Sequence, residues 1–460
     1  MSPIAKIFSL IPLFVILILP LSAHSQESEI RAIRDQLDRA LERQEKLDRE
    51  NARLNEEVKR LRVRLDEMGE KKSSGKPGAS AGSTAGAQKS NPNPPDRSNG
   101  QLRAGFYPGG KGFYIKDEDH LLRLLGYVQA VGSVFDSSLD RQDGNGDFSV
   151  RRARFDFLGT VYKDYTLFFE FDAGPGTVRT ADSDFAMVEG GVRWAVLPDS
   201  LQLAAGKFIT FFSAENFRGS RALDMIERYM ALNNMFLLPG LDSQFGAMIY
   251  GKLGADKKLG YFLGAFNGNG LANANLSDDN DAKEIQVRLN YDIHEQFTVG
   301  VGFDHSYEQG QTLSLADLGF NRYVSANIAG ERFGFDANLS WKSGRWRFEA
   351  EGLAFNFNMA ADRSLGYYGG YVQPSWFVLG DGKSGLEALL RGETSYMDTN
   401  TRGEGDTLWA VTPGLTWYVN PNVRLQADFT EHYFNGPSSL RNFSGSRWVP
   451  MFLTELQFKY

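Results

Sequence analysis

The chain has 460 residues, 50 Lys+Arg against 57 Asp+Glu, a formal net charge of −7 and a mean hydropathy of −0.35. That balance excludes a nucleic-acid binder held by bulk charge, and the lack of cysteine excludes a disulfide framework, a thiolate metal site and a cysteine-borne lipid anchor. A soluble multidomain protein or a membrane barrel remains, since a barrel strand is apolar only at every second residue.

The first residues carry the marks of an export signal. Lys6 is a positive n-region, Ile7–Leu21 an almost unbroken apolar run, and Ala23-His24-Ser25 a small-x-small cleavage site. The run is shorter than the ~20 residues of a spanning helix, so cleavage is expected near Ser25, with 1–25 as signal peptide.

Residues 26–69 read as a coiled coil. Ile30, Leu37, Gln44, Asn51, Val58 and Leu65 take heptad position a, and Ile33, Ala40, Leu47, Leu54, Leu61 and Met68 position d. The flanking pairs Glu29–Arg34, Arg43–Asp48 and Glu57–Arg62 are attractive in a parallel assembly, while polar Gln44 and Asn51 leave dimer and trimer both open. Residues 70–104, rich in Lys, Ser, Gly, Ala, Asn and Pro, bury too little apolar surface to fold and are expected to be a disordered linker.

From 105 to 460 the chain is expected to be all-β, a 16-stranded antiparallel transmembrane barrel. After a lead-in containing Phe113-Tyr114-Ile115, long strand-like runs follow, among them Asp147–Tyr162, Leu201–Phe212, Phe297–Ser306, Arg332–Trp341, Leu408–Val419 and Trp448–Tyr460. Long polar connections (Asp136–Gly146, Ser213–Gln244, Asn267–Lys283, Tyr307–Glu331, Asn435–Arg447) alternate with tight ones (Lys163-Asp164, Leu197–Ser200, Ala255–Lys258, Lys342–Gly344, Asn420–Asn422). That is the loop pattern of an outer-membrane barrel with short periplasmic turns, and it puts the N-terminal rod in the periplasm.

Within strands the alternation sorts charge from grease. Arg152, Arg154 and Asp156 share one face of Asp147–Tyr162, and Ala153, Phe155, Phe157 and Val161 the other. Arg288, Arg347 and Arg424 alternate with apolar neighbours in the same way, and Arg391 is counted with them. An Arg or Lys facing lipid near mid-membrane costs ~2–4 kcal/mol, so these cations are expected to line the lumen. Arg151 points the other way unless a bulge intervenes, towards the headgroup level or a loop carboxylate. The last strand closes on the alternating series Phe452, Thr454, Leu456, Phe458, Tyr460.

The longest connection, Ser213–Gln244, is expected to carry a short helix over Arg221–Met235. Folded inward it narrows the channel; folded outward it covers the mouth or meets another subunit. Lys207, Glu215, Arg218, Arg221, Asp224, Glu227 and Arg228 are its candidate constriction charges. No pair among the five histidines has metal or triad spacing, so neither an enzyme nor a cofactor is expected. The acidic segments Asp143–Asp147 and Ser277–Asp281 lack the EF-hand's distal Glu and read as solvated loops.

Over Gly110–Tyr460 the chain resembles the phosphate-selective porins O and P. The resemblance rests on FSVRRARFDFLG (148–159), AAGKFITFFSAENF (204–217) and GLTWYVNPNVRLQADF (414–429). It implies a homotrimeric outer-membrane porin passing small anions such as phosphate or pyrophosphate, with wall arginines at Arg152 and Arg154 and a lysine, Lys207, near an inward loop. The chain departs from that pattern at Pro239–Gln244, where an Arg often follows the Pro, and at Glu455, where a basic residue is common. Residues 1–100 are net positive, so the barrel region carries more than the whole chain's negative charge, and any anion preference is expected to be weak.

The expected pore-lining set is therefore Arg152, Arg154, Lys207, Arg218, Arg221, Arg228, Arg288, Arg347, Arg391 and Arg424. The expected partners are outer-membrane lipids, small solutes, further copies of the chain, and the periplasm or cell wall through the coiled coil. The alternative function is structural, with the barrel anchoring a periplasmic rod that tethers or spaces the envelope.

Overall fold

The computed structural model describes residues 102–107, 111–134, 147–174, 186–237, 243–268, 282–314, 325–359, 363–382, 384–398, 405–435 and 446–460. The expected signal peptide and coiled coil lie outside these residues, as do nearly all of the two acidic loop segments. Of the expected linker, only 102–104 are described, and Arg103 and Ala104 already belong to a strand.

A short hairpin, β1 (Arg103–Phe106) and β2 (Phe113–Lys116), precedes the barrel. The wall then runs through β3 (Leu121–Val134), β4 (Asp147–Val161), β5 (Tyr165–Asp172), β6 (Ala186–Leu197), β7 (Leu201–Ile209), β8 (Ser243–Leu253), β9 (Leu259–Phe266) and β10 (Glu284–His294). It continues through β11 (Phe297–Ser314), β12 (Ser325–Ser343), β13 (Trp346–Met359), β14 (Arg363–Gly380), β15 (Gly385–Asp398), β16 (Asp406–Asn420), β17 (Val423–Phe434) and β18 (Trp448–Lys459). Each strand pairs antiparallel with the next, and β18 returns to β3 from Phe452↔Val134 to Lys459↔Tyr127, closing a 16-stranded barrel. Closure leaves no edge to expose backbone groups to lipid.

Side-chain burial follows period two. Along β17, Arg424, Gln426, Asp428 and Thr430 are buried in the lumen while Leu425 and Phe429 are exposed on the outer face. Aromatic pairs stack at both rims. Tyr165–Trp194 and Trp346–Trp376 lie at the short-turn end, and Trp409, Tyr433 and Trp448 cluster at the long-loop end, the position of interfacial girdles. β2 pairs with β3 at Leu121–Leu124, beyond the point where β18 stops, so the hairpin lies at the short-turn rim.

Three expectations about boundaries are corrected. The connection placed over Tyr307–Glu331 is mostly ladder, with β11 and β12 paired from Tyr307↔Glu331 to Ser314↔Ser325. There the sequence is polar at most positions, so no apolar alternation marks the strands, yet backbone pairing continues. β13 and β14 are likewise extended, leaving only 360–362 between them, so the alternation of long and short loops fails at that one connection. Conversely, the strand expected to reach Phe212 stops at Ile209, because Thr210 is where the chain turns into the lumen.

Candidate pore constriction

The segment from Thr210 to Leu237 is folded inward across the lumen, and its local structure is set by the wall. Helix α1 (Ala214–Phe217) is capped by Ser213 Oγ, which accepts from Asn216 N at 3.3 Å. The carboxylate of Glu351 on β13 accepts from the Ala214 and Glu215 amides at 2.9 and 3.1 Å, an anion at a helix start where amides have no intrahelical acceptor. A 3-10 turn at Ser220–Ala222 follows, then an irregular stretch that bends over Asp224–Glu227, then α2 (Met230–Leu237).

The helix expected over Arg221–Met235 thus begins nine residues late. The amides that would have built its first turns bond to carboxylates instead. Ile226 N donates to Asp428 at 2.7 Å, Tyr229 N to Glu215 at 2.9 Å, and Met230 N to Glu393. Downstream, α2 buries Ala231, Leu232 and Met235, with Tyr229 just before it, against Phe355, Phe357, Tyr367 and Tyr371 of the inner wall. Tyr367 also donates to the Ala231 carbonyl at 3.0 Å.

Ion pairs fasten the loop at several points around the barrel. Arg218 bridges Asp224 and Glu349, each at 2.6 Å. Arg221 reaches Asp156 on β4 at 3.1 Å, Arg391 on β15 meets Glu215 at 2.6 Å, and Arg151 pairs with Glu227. Arg424 donates to the Leu223 carbonyl at 2.7 Å and Gln426 to that of Asp224 at 2.8 Å. Burial pushes the loop carboxyls of Asp224 and Glu227 up, but the nearby guanidinium groups outweigh it: Arg218 and Arg347 hold Asp224, and Arg151 holds Glu227, below the usual carboxylate range.

The ten expected residues are not equivalent. Arg154 is neutralised by Glu170 and by Asp172 at 2.9 Å, Arg288 by Asp336 at 2.8 Å, and Arg347 faces Glu387 at 3.5 Å with its guanidinium over Phe377. Arg152 donates to Gln129 at 3.0 Å, Arg228 to Ser220 at 3.4 Å, and Arg424 also reaches Glu455 at 3.6 Å. Lys207 is buried at the loop end of β7, donating to the Met187 carbonyl of β6 at 2.8 Å. Arg221 keeps a half-exposed side chain.

Arg151 was not in the expected set, and the structure resolves its position. β3 and β4 slip by one residue between Gln129↔Arg152 and Ala130↔Val150, leaving Arg151 in the bulge and turned towards Glu227. Arg332 was also missed. It is fully buried, with Glu284 at 2.7 Å, Asp304 at 2.9 Å and Glu308 at 2.8 Å. Its place at the tip of an expected strand gave no sign of three acidic neighbours.

A closed 16-stranded barrel with lipid-facing apolar residues, a charged lumen and an inward loop defines an outer-membrane porin. The phosphate-selective porin O and P family matches residues 125–434, and the chain belongs to that family. Its members are channels for passive diffusion in the outer membrane. No curated protein sequence matches the chain. Among solved structures it is similar to the anion-selective porin from Comamonas acidovorans, at 11% identity and a TM-score of 0.54, over 74% of this chain and 100% of that one. It is also similar to outer-membrane expressed OmpT of Vibrio cholerae, at 9% identity and a TM-score of 0.53, over 75% and 100%. The trimer form of in-vitro folded OmpT gives 10% identity and a TM-score of 0.52 over the same shares. At such identities these likenesses concern the fold.

Proposed function

We propose that this porin is a homotrimeric diffusion channel for small solutes with a weak preference for anions, narrowed by the loop 210–237. Its constriction is assigned to Arg152, Arg154, Arg218, Arg221, Arg228, Arg288, Arg347, Arg391 and Arg424, with Lys207 at the loop's entrance. The observation that carries the reading is the latching of the loop by ion pairs of both signs. Most guanidinium groups are matched by a carboxylate at hydrogen-bond distance, so little net positive field is left to select anions strongly. Family membership and an anion-selective structural neighbour support anions as the favoured sign. A structural neighbour in trimer form supports the oligomer.

The reversal potential of purified protein in planar bilayers across a KCl gradient tests this reading. A small shift towards the chloride potential is expected; clear cation preference refutes the arginine path, and no conductance at all refutes the channel.

A second role as an envelope tether is favoured by the chain's entry point. The β1–β2 hairpin enters at the short-turn rim, the periplasmic side of such barrels. The heptads of 30–68, at ~1.5 Å per residue, give a rod of roughly 60 Å from that side. Deleting 26–100 is expected to leave conductance intact and to loosen the envelope; an unchanged envelope removes the tether.

A further inference from the structure

The lumen is lined unevenly. The latches of the loop reach β4, β13, β15 and β17, whereas the inner wall of β5 to β9 carries an aromatic cluster. Phe168 on β5, Phe208 on β7, Phe266 on β9 and Phe211 at the start of the loop pack there as one buried group. Gly264 makes room for it, since an added Cβ would lie 2.5 Å from the Phe266 ring and 3.0 Å from that of Phe211.

The buried rings are packing, and they offer nothing to a solute. Three rings on the surface of the cluster are different. Phe217, at the end of α1, is 43% exposed, and its ring meets that of half-buried Phe262 on β9 edge to face, with centroids 5.0 Å apart. Tyr250 on β8 stands opposite Phe262 in the ladder, with parallel rings and centroids 5.8 Å apart. The core around α2 closes almost completely, with Met230 partly buried against it; this one stays open along Phe217, Phe262 and Tyr250. The row leads from the constriction loop to the short-turn end of the lumen, where Tyr250 lines a cavity of about 260 Å³ together with Gln202, Thr160 and Thr166.

Charge beside the row is mostly engaged elsewhere. Arg288 lies opposite Phe262 in the ladder but is turned to Asp336. Of the cavity's cations, Lys163 pairs with Asp119 at 2.9 Å and Arg123 donates to the Lys111 carbonyl at 2.8 Å. Arg193 lies over the Phe168 ring at 4.1 Å, with no carboxylate within ion-pair distance among the described residues. The Thr160 and Thr166 hydroxyls meet at 3.1 Å. Like Gln202 and the Tyr250 hydroxyl, they can both donate and accept.

We infer that the row Phe217–Phe262–Tyr250 is a stacking lane for ring sugars of monosaccharide size, with the polar cavity at its short-turn end. The face of an aromatic ring is electron-rich. A pyranose carries C–H bonds on its faces and hydroxyls around its rim. Such a solute lays a C–H face on the row while its hydroxyls reach water or, at the end of the lane, Gln202, Thr160, Thr166 and the Tyr250 hydroxyl. An open-chain polyol has the same hydroxyls and no flat face to lay down. The cavity is smaller than the ~300–1,000 Å³ of sites for drug-sized ligands, which suits one sugar ring and excludes an oligosaccharide. The inference rests on the porin reading for the water-filled passage, and adds to it the class of solute.

The test uses the full chain in liposomes, with D-glucose and D-mannitol as probes, which are close in size but are a ring and an open chain. Simple sieving passes the two at similar rates. In osmotic swelling, glucose is expected to enter about threefold faster than mannitol, the order of effect of one aromatic contact. Phe262→Leu and Phe217→Leu, which keep an apolar side chain and lose the ring, are each expected to bring the two rates together, and Phe262→Tyr to keep them apart. Phe335→Leu, at an exposed position on the outer face of β12, is expected to leave the ratio unchanged. KCl conductance of every variant is expected to match wild type, which reads the open barrel independently of the sugars. Mannitol entering as fast as glucose, or a ratio that neither ring substitution moves, overturns the lane while leaving the channel. Swelling with neither probe, together with no conductance, overturns the channel itself.

Discussion

Arg391 on β15 and Glu215 on the inward loop meet at 2.6 Å with both side chains almost wholly buried. The second carboxylate oxygen of Glu215 accepts from Tyr229 N at 2.9 Å, and Arg391 also donates to the Glu227 carbonyl at 3.0 Å and to Gln373 at 2.9 Å. One ion pair thus ties together two distant parts of the loop and the wall. Removing one partner of such a pair leaves the other charge buried and uncompensated, at a cost of ~3–5 kcal/mol. Arg391→Met is therefore expected to release the loop, seen as larger and noisier single-channel conductance. Arg391→Met combined with Glu215→Gln is expected to recover part of the quiet behaviour. A single mutant with wild-type conductance and noise would show that the other latches suffice.

The Arg151–Glu227 pair gives a pH dependence whose direction is settled by its shift. The Glu227 carboxyl is depressed, so its contribution to loop docking is fully present above the ordinary Glu value of ~4.3. The contribution fades as pH falls through the lower, docked value. Asp224, also depressed, behaves in the same way. Glu227→Gln is expected to make channels noisier than wild type by a margin that stays constant from pH 8 to about pH 5 and shrinks below about pH 4. Channel recordings of both proteins over this range check the point; a margin that closes near neutrality contradicts it.

Period-two alternation makes most of the barrel legible in the sequence. The strict burial pattern of β16 and β17 is the one their sequences spell, and the final strand places Leu456 and Phe458 outward and Glu455 and Gln457 inward, as its period requires. Three kinds of feature stayed hidden for physical reasons. A bulge shifts parity without changing composition, which is why Arg151 had two open destinations. Segments such as Tyr307–Ser314 with Ser325–Glu331 continue the backbone ladder through a mostly polar sequence, with no run of apolar alternation to mark the strands. The partners of the lumen arginines come from other strands and from the loop, so a strand's own pattern identifies a cation but not whether it is neutralised. The paired Arg288 and the unmatched Arg193 look alike in sequence.

The β4–β5 turn is strained in a way that invites repair. Tyr162 and Lys163 both have positive φ, 51° and 65°, in the three-residue turn Tyr162–Asp164 between the paired Val161 and Tyr165, and a left-handed backbone of this kind favours Gly. A left-handed L-residue costs roughly 1–2 kcal/mol, and the exposed Lys163–Asp119 pair that Lys163 makes in return is of the surface kind. Lys163→Gly is expected to raise the unfolding midpoint of the barrel, followed by the mobility shift between folded and unfolded forms on gels. A lowered midpoint would mean that the Asp119 contact outweighs the backbone strain.

Arg288 on β10 reaches Asp336 on β12 by crossing the intervening strand. The register places Arg288 opposite Gly302 on β11 and Gly302 opposite Asp336, so the three lie in one row. Gly302 has no side chain, and the ion pair runs over the gap it leaves. A Cβ built there would lie 1.8 Å from Asp336 Oδ2 and 3.4 Å from Arg288 Nη1. Asp336 cannot yield without losing the Ser213 amide, which donates to Oδ2 at 3.2 Å where the loop begins to cross the lumen. Gly302→Ala is therefore expected to destabilise the barrel by ~1–3 kcal/mol, the usual cost of overpacking, and to loosen the loop's entry, raising conductance noise. The same substitution at Gly352 on β13, where the nearest atom to an added Cβ is 3.8 Å away, is expected to change neither. If both variants behave alike, the gap at Gly302 is not what lets Arg288 reach its partner.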